Sequence, residues 1–155
     1  MVDFAGWEMP LLYRGIAAEH QQTRTSGSLF DVSHMGRLYI TGADAAPFLN
    51  KILTRNVANV RIGQIRYSLV CNEAGGVLDD VVVGKDAKHW LIICNASNRE
   101  KIVKHLVSHI QNLDVMIDDR TQATAMVALQ GPKVIDEISD EYAFLFRVLG
   151  MAPAM

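Results

Sequence analysis

Hydrophobic and polar residues alternate over residues 36–41, where Arg37, Tyr39 and Thr41 alternate with Leu38 and Ile40. This period of two is typical of β-strands that are buried on one face. Together with apolar, strand-like segments elsewhere, it predicts strands over residues 28–33, 36–41, 65–72, 76–84, 89–95, 115–118 and 123–130. The glycine-containing segment 72–76 predicts a turn that joins the strands on either side of it as a hairpin.

Between the strands, apolar residues recur three and four positions apart, which predicts helices. Segment 16–26 lacks β-branched runs, and a helix that ends near residue 54 carries the stripe Phe48, Leu49, Ile52 and Leu53. Ser97 and Glu100 match a capping box that opens a third helix, and Gly131-Pro132 starts a last one. Because helices and hairpin-linked strands alternate irregularly, the predicted fold class is α+β, with mostly antiparallel sheets and packed helices.

The length of 155 residues suits one domain with a substantial core. Residues 133–155 predict a terminal helix, and the apolar run over 142–149 has no later segment to cover it. This run either docks on the core or belongs to a longer protein. We favour the second interpretation, in which the chain is a piece of a longer protein.

The charge balance, the lengths of the apolar stretches and the cysteines indicate which kinds of partner and compartment to expect. Lys plus Arg number 15 and Asp plus Glu 17, so the net charge is −2. A protein that binds phosphate backbones usually carries a basic surplus, so nucleic acid is not expected as a partner. No apolar stretch approaches the roughly 20 residues of a membrane-spanning helix. Cys71 and Cys94 lie in apolar strands and are interpreted as buried free thiols, which favours the cytoplasm, or the mitochondrial matrix in a eukaryote.

Asp79 and Asp80 are the most distinctive candidates for chemistry, because acidic residues are disfavoured in strands. Successive strand residues point to opposite faces, so the two carboxylates are not expected to share one site. If one face is core and the other a pocket, one carboxylate is functional. The valines around it would remove it from water, and a desolvated carboxylate is suited to acid–base work. The alternative is that both aspartates simply end a strand at a hairpin edge.

Other motifs argue against metal and nucleotide chemistry. His105 and His109 share a helix face, but no acidic third ligand follows at helical spacing, and zinc usually takes three or four ligands. The remaining histidines are isolated, so no metal is predicted. The chain also lacks a glycine-rich dinucleotide fingerprint and a phosphate-binding loop motif.

Five short segments stand in a specific order and spacing. They are DFAGWEMP at 3–10, FDVSHMG at 30–36, NEAGGVLDD at 72–80, NASN at 95–98 and ALQGP at 128–132. Together they resemble the aminomethyltransferase of the glycine cleavage system, the T-protein family, over about residues 3–132. The resemblance implies that residues 1–155 are the N-terminal part of a folate-binding α+β domain, without the C-terminal domains of the family. It also implies transfer of an aminomethyl carbon from the lipoylated H-protein to tetrahydrofolate, with release of ammonia and formation of 5,10-methylenetetrahydrofolate.

The same resemblance suggests the site residues. It places the catalytic aspartate of the family on Asp80, with Asp79 as a structural partner on the reverse face. Tyr67 and Val82 are expected to line the folate pocket together with Asp80, and Met35 and Asn95 are expected to be neighbours that contact the folate.

Members of this family are substantially longer than the present chain, so we expect the isolated 155 residues to have weak activity or none. Two alternatives remain. A demethylating oxidase uses a similar folate domain, although it would need a flavin-binding domain for which no fingerprint is present. A non-catalytic folate-binding or assembly module would keep the pocket without using Asp80 for transfer.

Overall fold

A computed structural model describes residues 1–137 of the chain. The apolar run predicted over 142–149, and most of the predicted terminal helix, lie outside these residues. The chain divides into two compact units, one formed by residues 35–122 and the other by residues 1–34 with the part from residue 123 onward. In the part of the chain that is described, no helix is long and apolar enough to cross a membrane.

The predicted α+β class is confirmed. The strands are β1 (Val2–Phe4), β2 (Trp7–Met9), β3 (Ser28–Asp31), β4 (Gly36–Thr41), β5 (Ile65–Cys71), β6 (Val77–Lys85), β7 (Trp90–Cys94), β8 (Met116–Asp119) and β9 (Val127–Gln130). The helices are α1 (Ile16–Thr25), α2 (Ala45–Ile52), α3 (Arg99–Ser108) and α4 (Pro132–Glu137), and a short 3-10 helix spans Ala96–Asn98.

The unit of residues 35–122 is built on one antiparallel sheet. Its strand order is β5-β6-β7-β4-β8, and each neighbouring pair runs antiparallel. One face of this sheet packs against α2 and α3, whose apolar stripes supply about a third of the buried core residues. The largest side chains buried there are Leu38, Ile40, Phe48, Leu49, Ile92, Ile102 and Leu106. The buried side chains of the strands and the apolar stripes of the helices therefore pack together in one core.

The other unit contains a hairpin that the hydrophobic pattern does not predict. Strands β1 and β2 have three residues each and pair antiparallel across Ala5-Gly6. Both turn residues have positive φ, 53° at Ala5 and 80° at Gly6. A turn of this kind matches the twist of two-residue hairpins but normally selects asparagine or aspartate before the glycine. Because alanine precedes the glycine here, the sequence does not indicate the turn. In the same unit, β3 pairs antiparallel with β9.

The predicted capping box is wrong. Ser97 lies inside the 3-10 helix, and α3 begins two residues later, at Arg99, with Asn98 in the N-cap position. Asn98 makes no side-chain cap hydrogen bond. Its amide instead donates to the carboxylate of Asp79, so a tertiary partner has displaced the local one.

The two cysteines are free, but only one of them is fully buried. Cys94 is buried, whereas Cys71 is half-buried beside an irregularity in the β5–β6 ladder, so the prediction of two buried thiols is half right. Desolvation, with the negative charges of Asp79 and Asp119 adding to it, raises the pKa of Cys94 to about 12. A thiol with so high a pKa remains protonated and unreactive at pH 8.

Alkylation should therefore distinguish the two thiols. We expect iodoacetamide at pH 8 to label Cys71 in the native chain and to label Cys94 only in denaturant. Mass spectrometry of the digested protein measures both sites. Rapid labelling of Cys94 in the folded chain would show that the core around β7 opens readily.

Candidate active site

Asp79 and Asp80 occupy opposite faces of β6, as the alternation predicts. Asp79 is only 3% exposed and lies on the face that packs against the helices, whereas Asp80 is exposed on the other face. The register extends this second face across three strands, because Tyr67 pairs with Val82 and Val82 pairs with Ile93. We call this surface the Asp80 face.

The Asp80 face becomes more buried from one strand to the next. Tyr67 on β5 is 59% exposed, Val82 on β6 is half-buried and Ile93 on β7 is buried. Side chains that pair directly across an antiparallel ladder lie about 5 Å apart at Cβ. The predicted residues Tyr67, Asp80 and Val82 are therefore neighbours on one surface that is open to solvent at β5.

Asn95 connects the two carboxylates. Its side-chain Nδ2 donates to Asp79 Oδ1 at 2.9 Å and to Asp80 Oδ1 at 2.8 Å. The expectation that the two aspartates do not share a site is thus wrong in one respect. Their side chains do diverge, but Asn95 follows the last residue of β7, where an amide can reach around the ladder to both faces.

Met35 lies at the same end of the sheet as Asn95. Met35 directly precedes Gly36, and Gly36 pairs with Cys94, the residue before Asn95. The Met35 side chain is half-buried, and its carbonyl accepts a hydrogen bond from the Arg37 guanidinium at 2.6 Å. The structure therefore brings Met35 and Asn95 close together in the ladder.

The exposed carboxylate has a different partner on each oxygen. Oδ1 of Asp80 accepts the short bond from Asn95, and Oδ2 accepts a longer bond, 3.3 Å, from the Tyr67 hydroxyl. The pKa of Tyr67 is raised by desolvation, then by the negative charge of Asp80 and by the hydrogen bond to it. The phenol therefore stays protonated, as a donor, at neutral pH.

Removal of the Asp80 charge should lower the pKa of Tyr67. A nearby carboxylate disfavours the tyrosinate anion, so Asp80→Asn brings the phenol closer to its ordinary titration range. The pH dependence of the Tyr67 ring Cζ resonance, followed by NMR in both proteins, measures the shift. An unchanged midpoint would mean that the Tyr67–Asp80 contact does not persist in solution.

A separate cavity of about 560 Å³ contains none of the predicted site residues. It is lined from α2, α3 and the β5–β6 turn, and the lining includes Lys51, Cys71, His105 and His109. The two imidazole rings lie 4.4 Å apart, and desolvation, followed by the charge of His109, lowers the pKa of His105. Within residues 1–137, no group of three or more histidine, cysteine, aspartate or glutamate side chains is placed to hold a metal ion.

Comparison with known proteins shows to which family the chain belongs. The sequence profile described as the GCVT N-terminal domain matches residues 1–142, which is most of the chain. The chain belongs to the GCVT N-terminal domain family. The resemblance that the five sequence segments predicted is thereby confirmed.

The relatives of this GCVT domain are aminomethyltransferases. The aminomethyltransferase of Rubrobacter xylanophilus is 49% identical over 133 residues, which are 86% of this chain and 36% of that protein. The aminomethyltransferase of Herpetosiphon aurantiacus is 45% identical over 136 residues, which are 86% of this chain and 37% of that protein. The chain thus spans little more than a third of the length of these two relatives.

A solved structure supports the same fold. The crystal structure of glycine cleavage system aminomethyltransferase T from Bartonella henselae superposes with a TM-score of 0.79 at 35% identity. The match covers 85% of this chain and 37% of that one. The fold of this GCVT domain is therefore that of the N-terminal portion of a glycine cleavage aminomethyltransferase.

Sequence reasoning missed one member of the polar cluster in the GCVT domain. Asn98 donates to Asp79 Oδ1 at 2.6 Å, although its position suggested a helix cap. A signal was present in the sequence, because Asn95 and Asn98 directly follow a buried strand. Two amides at that position suit the recognition of a carboxylate at the end of the neighbouring strand.

Proposed function

We propose that this chain provides the folate-binding surface and the catalytic carboxylate of a tetrahydrofolate-dependent aminomethyltransferase of the glycine cleavage system. The donor is the aminomethyl group on a lipoyl sulfur of the H-protein. Its carbon forms two bonds to folate nitrogens while its bonds to the amino nitrogen and to sulfur break. The two protons lost from the folate nitrogens are balanced by those gained on ammonia and on the lipoyl thiol.

The observation that carries this proposal is the environment of Asp80. The carboxylate is exposed, and within residues 1–137 its Oδ2 has only the long 3.3 Å bond from Tyr67, which a ligand amine can replace or join. From this position Asp80 orients the folate amine, accepts its proton and stabilises positive charge on the reacting carbon. Asn95 holds the other oxygen and so fixes the direction of the lone pairs.

The neighbouring side chains fit a flat, partly polar ligand. Tyr67 offers an exposed aromatic ring, and Val82 offers a half-buried apolar contact on the same face. Met35, at the end of the sheet next to Asn95, adds an adaptable apolar side chain. Sites for such ligands are mostly apolar, with a few polar groups that fix the orientation. We therefore assign folate contact to Tyr67, Val82, Met35 and Asn95 beside the catalytic Asp80.

An assay of ammonia release tests the reaction. We expect the 155-residue chain, given tetrahydrofolate and aminomethyl-loaded H-protein, to release ammonia slowly or not at all. A chimaera in which this chain replaces the matching segment of the Rubrobacter xylanophilus relative should be active, because the remaining two thirds of that protein are restored. An inactive but folded chimaera would contradict the proposal. Turnover of about 1 s⁻¹ or more by the isolated chain would contradict the expected weakness.

A further inference from the structure

Asp79 is a buried carboxylate whose hydrogen-bond donors, among the residues that the structure describes, all come from one short segment. Oδ2 accepts the backbone N–H of Asn95 at 3.0 Å, and Oδ1 accepts the side-chain amides of Asn95 and Asn98 at 2.9 and 2.6 Å. A buried carboxylate needs such donors, because it has left water. Asp79 therefore connects the segment that follows β7 to the N-terminal end of β6.

The contacts of Asn95 determine which way its amide group faces. A primary amide nitrogen carries two hydrogens, and here Nδ2 makes short contacts to one oxygen of each aspartate. Rotation of the amide by half a turn would place its carbonyl oxygen against both carboxylates. Asp79 thus favours the one orientation in which Asn95 donates to Asp80.

Asn98 supports the same arrangement at the expense of a local bond. It stands at the N-cap position of α3, where asparagine commonly accepts a helix N–H, yet it makes no cap bond. Its amide points to Asp79 instead, in the shortest bond that Asp79 makes. The Asp79 side chain is therefore held by the Asn98 amide as well as by the strand to which it belongs.

We propose that Asp79 and Asn98 are positioning residues for Asp80. They fix the amide of Asn95, which holds Oδ1 of Asp80 and leaves Oδ2, beside the Tyr67 hydroxyl, for the amine of the ligand. The identity of that ligand as a reduced folate rests on the proposed function. The arrangement of the four polar side chains is independent of it.

The test uses three variants of the full 155-residue chain, Asp79→Asn, Asn98→Ala and, as a matched control, Ser97→Ala. Ser97 is exposed in the same 3-10 helix. NMR of the Asn95 side-chain amide and of the Asp80 carboxyl carbon reports the arrangement, and calorimetric titration with tetrahydrofolate reports the consequence. We expect Asp79→Asn and Asn98→Ala to shift both signals and to weaken binding about tenfold, the effect of one lost charge-assisted hydrogen bond. Ser97→Ala should change neither.

The outcomes separate this proposal from the proposed function. Unmoved Asn95 and Asp80 signals in folded variants would overturn the positioning role, and so would moved signals with unchanged affinity. Failure of the folded, unsubstituted chain to bind tetrahydrofolate would count against the proposed function, while the NMR signals would still decide the arrangement. If Asp79→Asn does not fold, Asn98→Ala decides, because its side chain is only half-buried and makes no cap bond.

Discussion

Replacement of Asp80 with asparagine is expected to slow aminomethyl transfer by at least about 100-fold, the usual contribution of a positioned acid–base group. The amide has nearly the shape of the carboxylate; its oxygen can accept from Asn95 while its nitrogen donates to the Tyr67 hydroxyl oxygen. It cannot take a proton from the folate amine, nor stabilise positive charge on the reacting carbon. Affinity for tetrahydrofolate should therefore change far less than the rate.

Single-turnover ammonia release by the chimaera, compared with calorimetric affinity for tetrahydrofolate, separates the two effects. Asp118→Asn is a matched control, because Asp118 is an exposed strand aspartate whose contact is a surface ion pair with Arg120. It should leave both quantities unchanged. Equal loss of binding and rate in Asp80→Asn, or loss of neither, would favour a non-catalytic folate-binding or assembly module.

Replacement of Arg37 with methionine should lower the free energy of unfolding by about 3 kcal/mol or more. Arg37 is 1% exposed, and its guanidinium donates to the carbonyl oxygens of Met35 and Thr121. A hydrogen bond to a charged group contributes about 1.5–3 kcal/mol, and a buried carbonyl that loses its donor carries a further penalty. Methionine fills similar volume but supplies no donor.

Urea denaturation followed by circular dichroism measures this change as a shift of the unfolding midpoint. Arg61→Met is the matched control, because Arg61 is exposed and only its backbone N–H and C=O, not its guanidinium, appear among the hydrogen bonds of the described residues. We expect the control to stay within about 0.5 kcal/mol of the unsubstituted chain. Equal midpoints for Arg37→Met and Arg61→Met would show that the Arg37 bonds do not stabilise the fold.

The sequence patterns were most informative for the longer strands of the five-stranded sheet. The predicted strand over 36–41 coincides with β4, and those over 65–72, 76–84 and 89–95 match β5, β6 and β7 to within one residue. In β4 polar and apolar residues alternate, whereas β7 is a continuous apolar run that is buried along its whole length, and both patterns are typical of strands. The β1–β2 hairpin was missed, because two strands of three residues are too short to show a period.

The candidate site was predictable only in part. The alternation correctly separated Asp79 from Asp80, since it depends on the strand alone. It could not show that Asn95 donates to both aspartates, or that Asn98 donates to Asp79 and makes no helix-cap bond. Both contacts depend on β7 lying beside β6 in the sheet. Strand order is set by the whole sheet, whereas local patterns report each strand separately.

Calorimetric titration of tetrahydrofolate into the folded 155-residue chain tests the central claim, that the Asp80 face binds a reduced folate. We predict saturable one-to-one binding that Tyr67→Ala weakens about tenfold or more, through loss of an aromatic contact and of the hydroxyl beside Asp80. Tyr13→Ala, which removes a tyrosine that is 77% exposed, should leave the affinity unchanged. A folded chain that binds no folate, or that binds it equally well without Tyr67, would contradict the claim.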